Sequence, residues 1–216
     1  MKLYTYWRSS AAYRIRIALN LKGIAYDDHY INMLRDGGEQ LKEEYARINA
    51  QKLVPALETD QNEILTQSMA IIEYLDESYP ETPALLPEST LARARVRALA
   101  QAIACEIHPL NNLRVLKYLV NEMGVSEEQK MSWYHHWIVE GFSALETMLA
   151  DSDTTGQFCY GNTPGLADAC LIPQLYNAHR FKVNMSAFPT INRIEKACLE
   201  LKAFQDARPE LQGDAT

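Results

Sequence analysis

Along the first 80 residues the apolar positions change rhythm repeatedly. Residues 2–7 (KLYTYW) are aromatic and branched, the composition of a strand. From Ser10 to Lys22, Ile15, Ala18 and Leu19 recur at helical spacing with Ile17 and Leu21 beside them. This predicts a well-buried helix ended by Gly23. Residues 25–32 read as a second strand, Gly37-Gly38 as a loop and 40–47 as a short helix. Residues 53–59 and 63–66 flank the polar turn Asp60-Gln61-Asn62 and read as a hairpin. Helical spacing returns over 68–78, with Met69, Ile72 and Leu75 on one face and Ile71 next to them. The order β-α-β-α-β-β-α predicts a small α/β sheet of mixed strand direction.

The pattern then shifts. Residues 79–87 (YPETPALLP) hold three prolines, a linker signal. Beyond them only helical spacing is found. Residues 91–120 form one long apolar-periodic stretch with Pro109 inside it, so a break is expected near His108. Ser126-Glu127-Glu128-Gln129 is a capping box opening a helix that runs to about Ala150. Residues 166–180 make a third helix, and 189–203 a fourth with Pro189 in its first turn. The segment after Pro209 is polar and is expected to fray. The expected organisation is an α/β domain over 1–80, a linker over 81–88 and an all-helical domain over 89–216.

Composition narrows the classes. With 47% hydrophobic residues in 216, the chain can bury a substantial core. The net charge of -7 argues against a general nucleic-acid surface, which carries excess positive charge. An anionic small substrate would need locally placed arginines. Cys105, Cys159, Cys170 and Cys198 form no CxxC pair and no metal-ligand spacing, so they read as small buried hydrophobes in a reducing compartment. The opening residues read as a strand rather than a leader, and no apolar run approaches the ~20 residues that span a membrane. A soluble cytoplasmic protein is the expectation.

Three short stretches carry candidate chemistry. Arg8-Ser9-Ser10 falls where the first strand hands over to the first helix. A helix N-terminus exposes unpaired N–H groups and partial positive charge, which attract anions and favour thiolates. Ser9 and Ser10 could add hydroxyl donors to such a thiolate, or serve only as caps, and one serine can do each. Val54-Pro55 enters a strand and could set the Val54 backbone beside a ligand. The base rate for X–Pro bonds favours trans there. Gln67-Ser68 opens another helix, a second place for a carboxylate or another cap. Arg14 and Arg16, two apart on a helix, read as structurally paired or solvated rather than catalytic. His135-His136 in WYHHW cannot share one helix face, so no metal site is expected and the aromatic positions there read as core or interface.

As an ordered series these stretches are more specific than any one alone. WRSSxxYRxRIAL, INMLRDGGEQ, LVPALET, QSMAIIEYLDESYP, IHPLNNLRVLKYL and IPQLYNAHRFKVN together resemble the zeta-class glutathione transferases of the maleylacetoacetate isomerase family, over nearly the whole chain. The resemblance implies a thioredoxin-like N-terminal domain, a helical glutathione-transferase C-terminal domain, a cis Pro55 and a homodimer. It implies glutathione as cofactor and a small anionic maleyl substrate, isomerised to the fumaryl form by reversible thiolate addition in tyrosine and phenylalanine catabolism. By the same resemblance Ser9 and Ser10 hold the thiolate, and Ala11 stands with them. Val54 pairs with the cysteinyl part, Gln67 and Ser68 hold the γ-glutamyl end, and Gln40 reaches the glycyl end. His108, Asn112 and Arg114 close the cleft from the helical domain, while Arg8 and Arg180 meet the substrate carboxylate. Related readings are a maleylpyruvate isomerase, a transferase acting on α-haloacids, and a non-catalytic glutathione-binding module.

Two positions depart from the family pattern. Ala11 stands where a cysteine often follows the two serines, which removes a thiol and keeps the backbone N–H. Gly165 stands where Ser or Thr usually caps the helix containing Asp168. Glycine caps nearly as well, at a cost of a few tenths of a kcal/mol, and Asp168 can still accept backbone N–H bonds.

Overall fold

The structure is a computed structural model that describes all residues from 1 to 216. The chain forms two compact units, Met1–Leu85 together with Leu199–Thr216, and Leu86–Cys198.

The first unit is built on a four-stranded sheet. Its strands are β1 (Lys2–Thr5), β2 (Asp27–Tyr30), β3 (Ala56–Glu58) and β4 (Ile64–Thr66), in the order β2-β1-β3-β4. β1 runs parallel to β2 and antiparallel to β3, and β3 runs antiparallel to β4, so the sheet is mixed as expected. α1 (Ser10–Lys22) ends at Gly23, whose φ of 66° is the left-handed cap conformation that favours glycine. α1 is buried almost all round, Arg14 and Arg16 included. β2 is shorter than the pattern predicts, because only the residues opposite β1 find a ladder, and all four of its residues are exposed. The helix expected over 40–47 is a 3-10 turn, Glu39–Leu41, then the single turn α2 (Glu43–Ala46), interrupted by extended backbone at Lys42. β3 starts at Ala56 rather than residue 53, since Pro55 has no N–H to give a ladder. The Val54–Pro55 peptide is cis, as the resemblance implied and the base rate did not. α3 (Ser68–Ser78) closes the expected order.

The second unit is helical. α4 (Thr90–Gln101) runs into a π-helical stretch, Ala102–Ile107, and a 3-10 turn, His108–Asn111, before α5 (Leu113–Asn121) restarts. The expected break therefore falls where Pro109 interrupts the ladder. Gly141 lets the next helix, α6 (Glu127–Ala150), press against this break: a Cβ there would lie 2.3 Å from Ile107 Cγ1. The capping box of α6 forms in both directions between Ser126 and Gln129. α7 (Leu166–Arg180) and α8 (Pro189–Leu199) follow. Cys105 is exposed on the π-helical stretch, which corrects the reading of all four cysteines as buried; the other three are.

Two expectations about the last residues need correction. The helix expected over 189–203 stops at Leu199, and α9 (Lys202–Asp206) is separate. Residues 199–216 belong to the first unit rather than to the helical one, and they are anchored rather than frayed. Asn20 donates to Ala203 O at 3.0 Å, Arg16 Nε to Ala207 O at 3.2 Å and the Trp7 N–H to Asp214 Oδ2 at 3.1 Å, while Phe204 and Ala207 are buried.

Candidate functional site

Sheet register brings three separate stretches to one end of the first unit. Tyr4 pairs with Ala56, and Ala56 with Thr66. The chain after β1 (Arg8 to Ala11), the chain before β3 (Val54) and the chain after β4 (Gln67-Ser68) therefore leave the sheet at the same end. β2 leaves there too, with Ile31 N–H donating to Thr5 O at 2.8 Å, and leads into the segment carrying Gln40.

At the first stretch Ser9 is the N-cap of α1, and its Oγ accepts from Ala12 N–H at 3.3 Å. An accepting hydroxyl still has its own proton to donate, so capping leaves Ser9 a donor. Ser10 is buried as the first helical residue. Ala11 is half-buried, and its N–H is one of those that precede the first intrahelical bond. Arg8 packs its guanidinium 4.6 Å from the centroid of the Trp7 ring and donates to Tyr6 Oη at 3.2 Å, which orients a permanent cation beside the serines.

Val54 is buried, and no hydrogen bond within the chain engages its backbone N–H or C=O. That is a peptide edge open to an extended partner. Gln67 has φ 68° and ψ 113°, in the range where a side chain is strained, and α3 begins without any side-chain cap. Such strain costs on the order of 1–3 kcal/mol and collects at ligand clamps. Gln67 Nε2 is held by Gln51 Oε1 at 2.7 Å. Ser68 is buried and its Oγ accepts from Arg14 Nη1 at 3.3 Å. Gln40 is buried with its Oε1 unpartnered. Two helix starts and a free peptide edge suit a tripeptide with two carboxylates and a thiol, and the Gln40 oxygen is an acceptor for an N–H of such a peptide.

Arg14 and Arg16 are structural, but more deeply placed than pairing or solvation suggests. Both are fully buried. Arg14 was missed as part of the Ser68 corner, because an arginine on an apolar helix carries no mark of which neighbour it meets. Gln51 was missed for the same reason.

The remaining candidates lie in the second unit. His108 sits on the 3-10 turn and Arg114 is exposed in the first turn of α5. Asn112 caps α5, its Oδ1 accepting from Arg114 N–H at 3.1 Å, which leaves its amide N–H groups to donate to a ligand. Its neighbour Asn111, which the sequence reading passed over, is buried with both amide atoms unpartnered. Arg180 is exposed at the end of α7, over the Phe181 ring at 4.8 Å. α6 fixes both places: Trp133 Nε1 donates to Leu110 O at 2.8 Å, and His135 Nε2 lies 2.7 Å from Phe181 O. Burial pushes the Tyr134 hydroxyl up, with Arg180 opposing. His136 stacks edge-on against Trp137, and no group of three or more His, Cys, Asp or Glu side chains is gathered as a metal ion would need. No helix is long and apolar enough to cross a membrane.

Comparison with known proteins adds to this geometry. Residues 3–83 match the glutathione S-transferase N-terminal domain family. The chain is 51% identical over 213 residues to a probable maleylacetoacetate isomerase of Vibrio cholerae serotype O1, covering 99% of this chain and 97% of that one. It superposes with a TM-score of 0.96 and 45% identity on the holo structure of a maleylpyruvate isomerase described as a bacterial zeta-class glutathione transferase, covering 100% of both chains. It is also similar to a maleylacetoacetate isomerase of Methylobacterium extorquens AM1 solved with malonate and glutathione bound, with TM-score 0.94, 41% identity and 100% coverage of both.

Proposed function

This chain belongs to the glutathione transferases, in the zeta class with the maleylacetoacetate and maleylpyruvate isomerases, and from that premise we propose how it works. It is a glutathione-dependent cis–trans isomerase that converts maleylacetoacetate to fumarylacetoacetate. The observation that carries this is the gathering of Ser9 to Ala11, Val54 and Gln67-Ser68 at one end of the sheet, in a chain half identical to a probable maleylacetoacetate isomerase. It acts as a cytoplasmic homodimer in tyrosine and phenylalanine breakdown.

Rotation about a C=C bond is prohibitive at ambient temperature. Glutathione, when bound, supplies a thiolate that adds reversibly to the conjugated bond, leaving a single bond that turns, and it is regenerated on release. The chain's residues make this possible in three ways. Ser9 Oγ–H and the first N–H groups of α1 favour the charged sulfur over the neutral thiol near neutral pH. Gln67, Ser68 and the N-terminus of α3 hold the γ-glutamyl carboxylate, the Val54 backbone pairs with the cysteinyl part and Gln40 holds the glycyl end. Ser10, Ala11, His108, Asn112 and Arg114 complete the cofactor contacts. Arg8 and Arg180 hold the substrate carboxylate, and a guanidinium suits this because it pairs bidentately and stays charged. A net acidic chain takes an anion in this way because its cations are local.

The alternative reading is a maleylpyruvate isomerase, favoured by the 0.96 TM-score and 45% identity with an isomerase of that compound. The test is to assay the purified chain on maleylacetoacetate, maleylpyruvate and dichloroacetate, with and without glutathione. The expected result is turnover of maleylacetoacetate that requires glutathione and does not consume it. A higher kcat/KM on maleylpyruvate would transfer the assignment to that substrate. Faster halide release from dichloroacetate than isomerisation would make it a conjugating transferase. Tight glutathione binding without turnover of any of the three would make it a binding module.

A further inference from the structure

The loop that delivers Ser9 is held by residues some two hundred positions away. Trp7 gives its N–H to Asp214 Oδ2 at 3.1 Å, and its C=O accepts from Arg16 Nη2 at 3.0 Å. The same buried guanidinium donates through Nη1 to Thr5 Oγ1 at 3.1 Å and through Nε to Ala207 O at 3.2 Å. One side chain therefore links β1, the loop and the returning segment. Ser9 N–H donates to Tyr6 O at 2.9 Å and closes the turn. Both polar backbone groups of Trp7 and the carbonyl of Tyr6 are thus fixed, with only Arg8 between them and the Ser9 cap.

The returning segment is seated at several other points. Ala203 O accepts from Asn20, and Ala215 packs against the apolar cluster that includes Tyr4, Tyr6 and Trp7. Gly213 lies so close to Tyr30 that a Cβ would stand 2.7 Å from its hydroxyl oxygen. Arg16, Asp28 and Tyr30 are the charged and titratable groups that feel Asp214.

We propose that residues 199–216 form a strap that fixes the Trp7–Ser9 loop, with Asp214 the positioning residue that sets the Ser9 hydroxyl at the mouth of α1. The proposal rests on the reading of Ser9 as the donor to bound glutathione. Its physical basis is leverage. An anchor two residues from a catalytic hydroxyl controls where that hydroxyl stands, and a displacement of about 1 Å can cost about a hundredfold in rate. Asp214 touches neither cofactor nor substrate in this scheme. It acts through the Trp7 peptide.

The test compares Asp214→Ala, which removes the acceptor, with Asp214→Asn, which keeps a carbonyl oxygen for the Trp7 N–H. Two readouts are needed: amide exchange at Trp7 to Ser9 in the glutathione-free chain, and the ultraviolet thiolate band of bound glutathione followed against pH. In Asp214→Ala, exchange at Trp7 should rise at least about tenfold. The ionisation midpoint of the bound thiol should move up by about half a unit or more, and kcat should fall with little change in KM for glutathione. Asp214→Asn should restore both signals. A lower melting temperature with an unmoved thiol midpoint would make the strap merely structural, and unchanged exchange at Trp7 would overturn it outright. If glutathione on the parent chain ionised as it does free in solution, the thiolate reading would fail instead, and the exchange comparison would still decide whether the strap fixes the loop.

Discussion

Two helices, α7 and α3, both start without a serine or threonine cap, and they solve the problem in opposite ways. Gly165 offers α7 no side chain, so Asp168 turns back from the third helical position. Its Oδ2 accepts from Gly165 N–H and its Oδ1 from Cys159 N–H, each at 2.9 Å. The carboxyl is 2% exposed, so burial pushes its pKa up while those two donors pull it down. The chain's own carboxylate takes the place an outside anion would occupy. α3 has no carboxylate in its first turn. It carries backbone strain at Gln67 and buries the Arg14 cation against Ser68. A helix start closed by its own buried acid is a folding device, whereas a strained start backed by a cation is prepared for someone else's carboxylate.

This contrast can be broken in order of expected effect. Asp168→Ala leaves two N–H groups unsatisfied and should destabilise the chain by about 3 kcal/mol, read from the denaturation midpoint. A loss below about 0.5 kcal/mol would mean that α7 is not closed by its own acid. At the other end of the same helix, Arg180→Ala should raise KM for the maleyl substrate by about tenfold, as for one lost charge-assisted contact, and leave glutathione affinity alone. Equal losses in both would make Arg180 structural. Gln67→Gly should relieve part of the strain and stabilise the chain by about 1 kcal/mol while weakening glutathione binding. If it weakened neither binding nor raised stability, the strain would have no part in the clamp. Gly165→Ser should add only a few tenths of a kcal/mol, because Asp168 already bonds the start of α7. A gain beyond 1 kcal/mol would show that the glycine start is poorly closed.

Local chemistry explains what was legible beforehand. Gly23 ends α1, Ser126 and Gln129 open α6, and Pro109 breaks the stretch after α4, because each acts on backbone groups within a few residues. The strand-to-helix turns that carry Ser9 and Gln67 were visible for the same reason. The return of residues 199–216 to the first unit was not, since it depends on Arg16 reaching Ala207 O and Asp214 accepting from Trp7, and no periodicity encodes a partner so far along the chain. Polar composition after Pro209 suggested fraying, but one of those polar side chains, Asp214, is an anchor. Nor does sequence distinguish Asn111 from Asn112. Only the restart of α5 commits Asn112 to capping and buries its neighbour. The roles of Gln40, His108 and Arg180 came from family resemblance rather than from spacing.

The most direct measurement is a pH titration of the ultraviolet thiolate band of glutathione on the unmodified chain, repeated on Ser9→Ala. The expected midpoint on the unmodified chain lies at least about one unit below the ~8.5 of an ordinary thiol, with Ser9→Ala returning it most of the way. A midpoint equal to that of free glutathione on the unmodified chain, or one that Ser9→Ala does not move, would contradict the assignment of the α1 mouth as the place where the sulfur is charged.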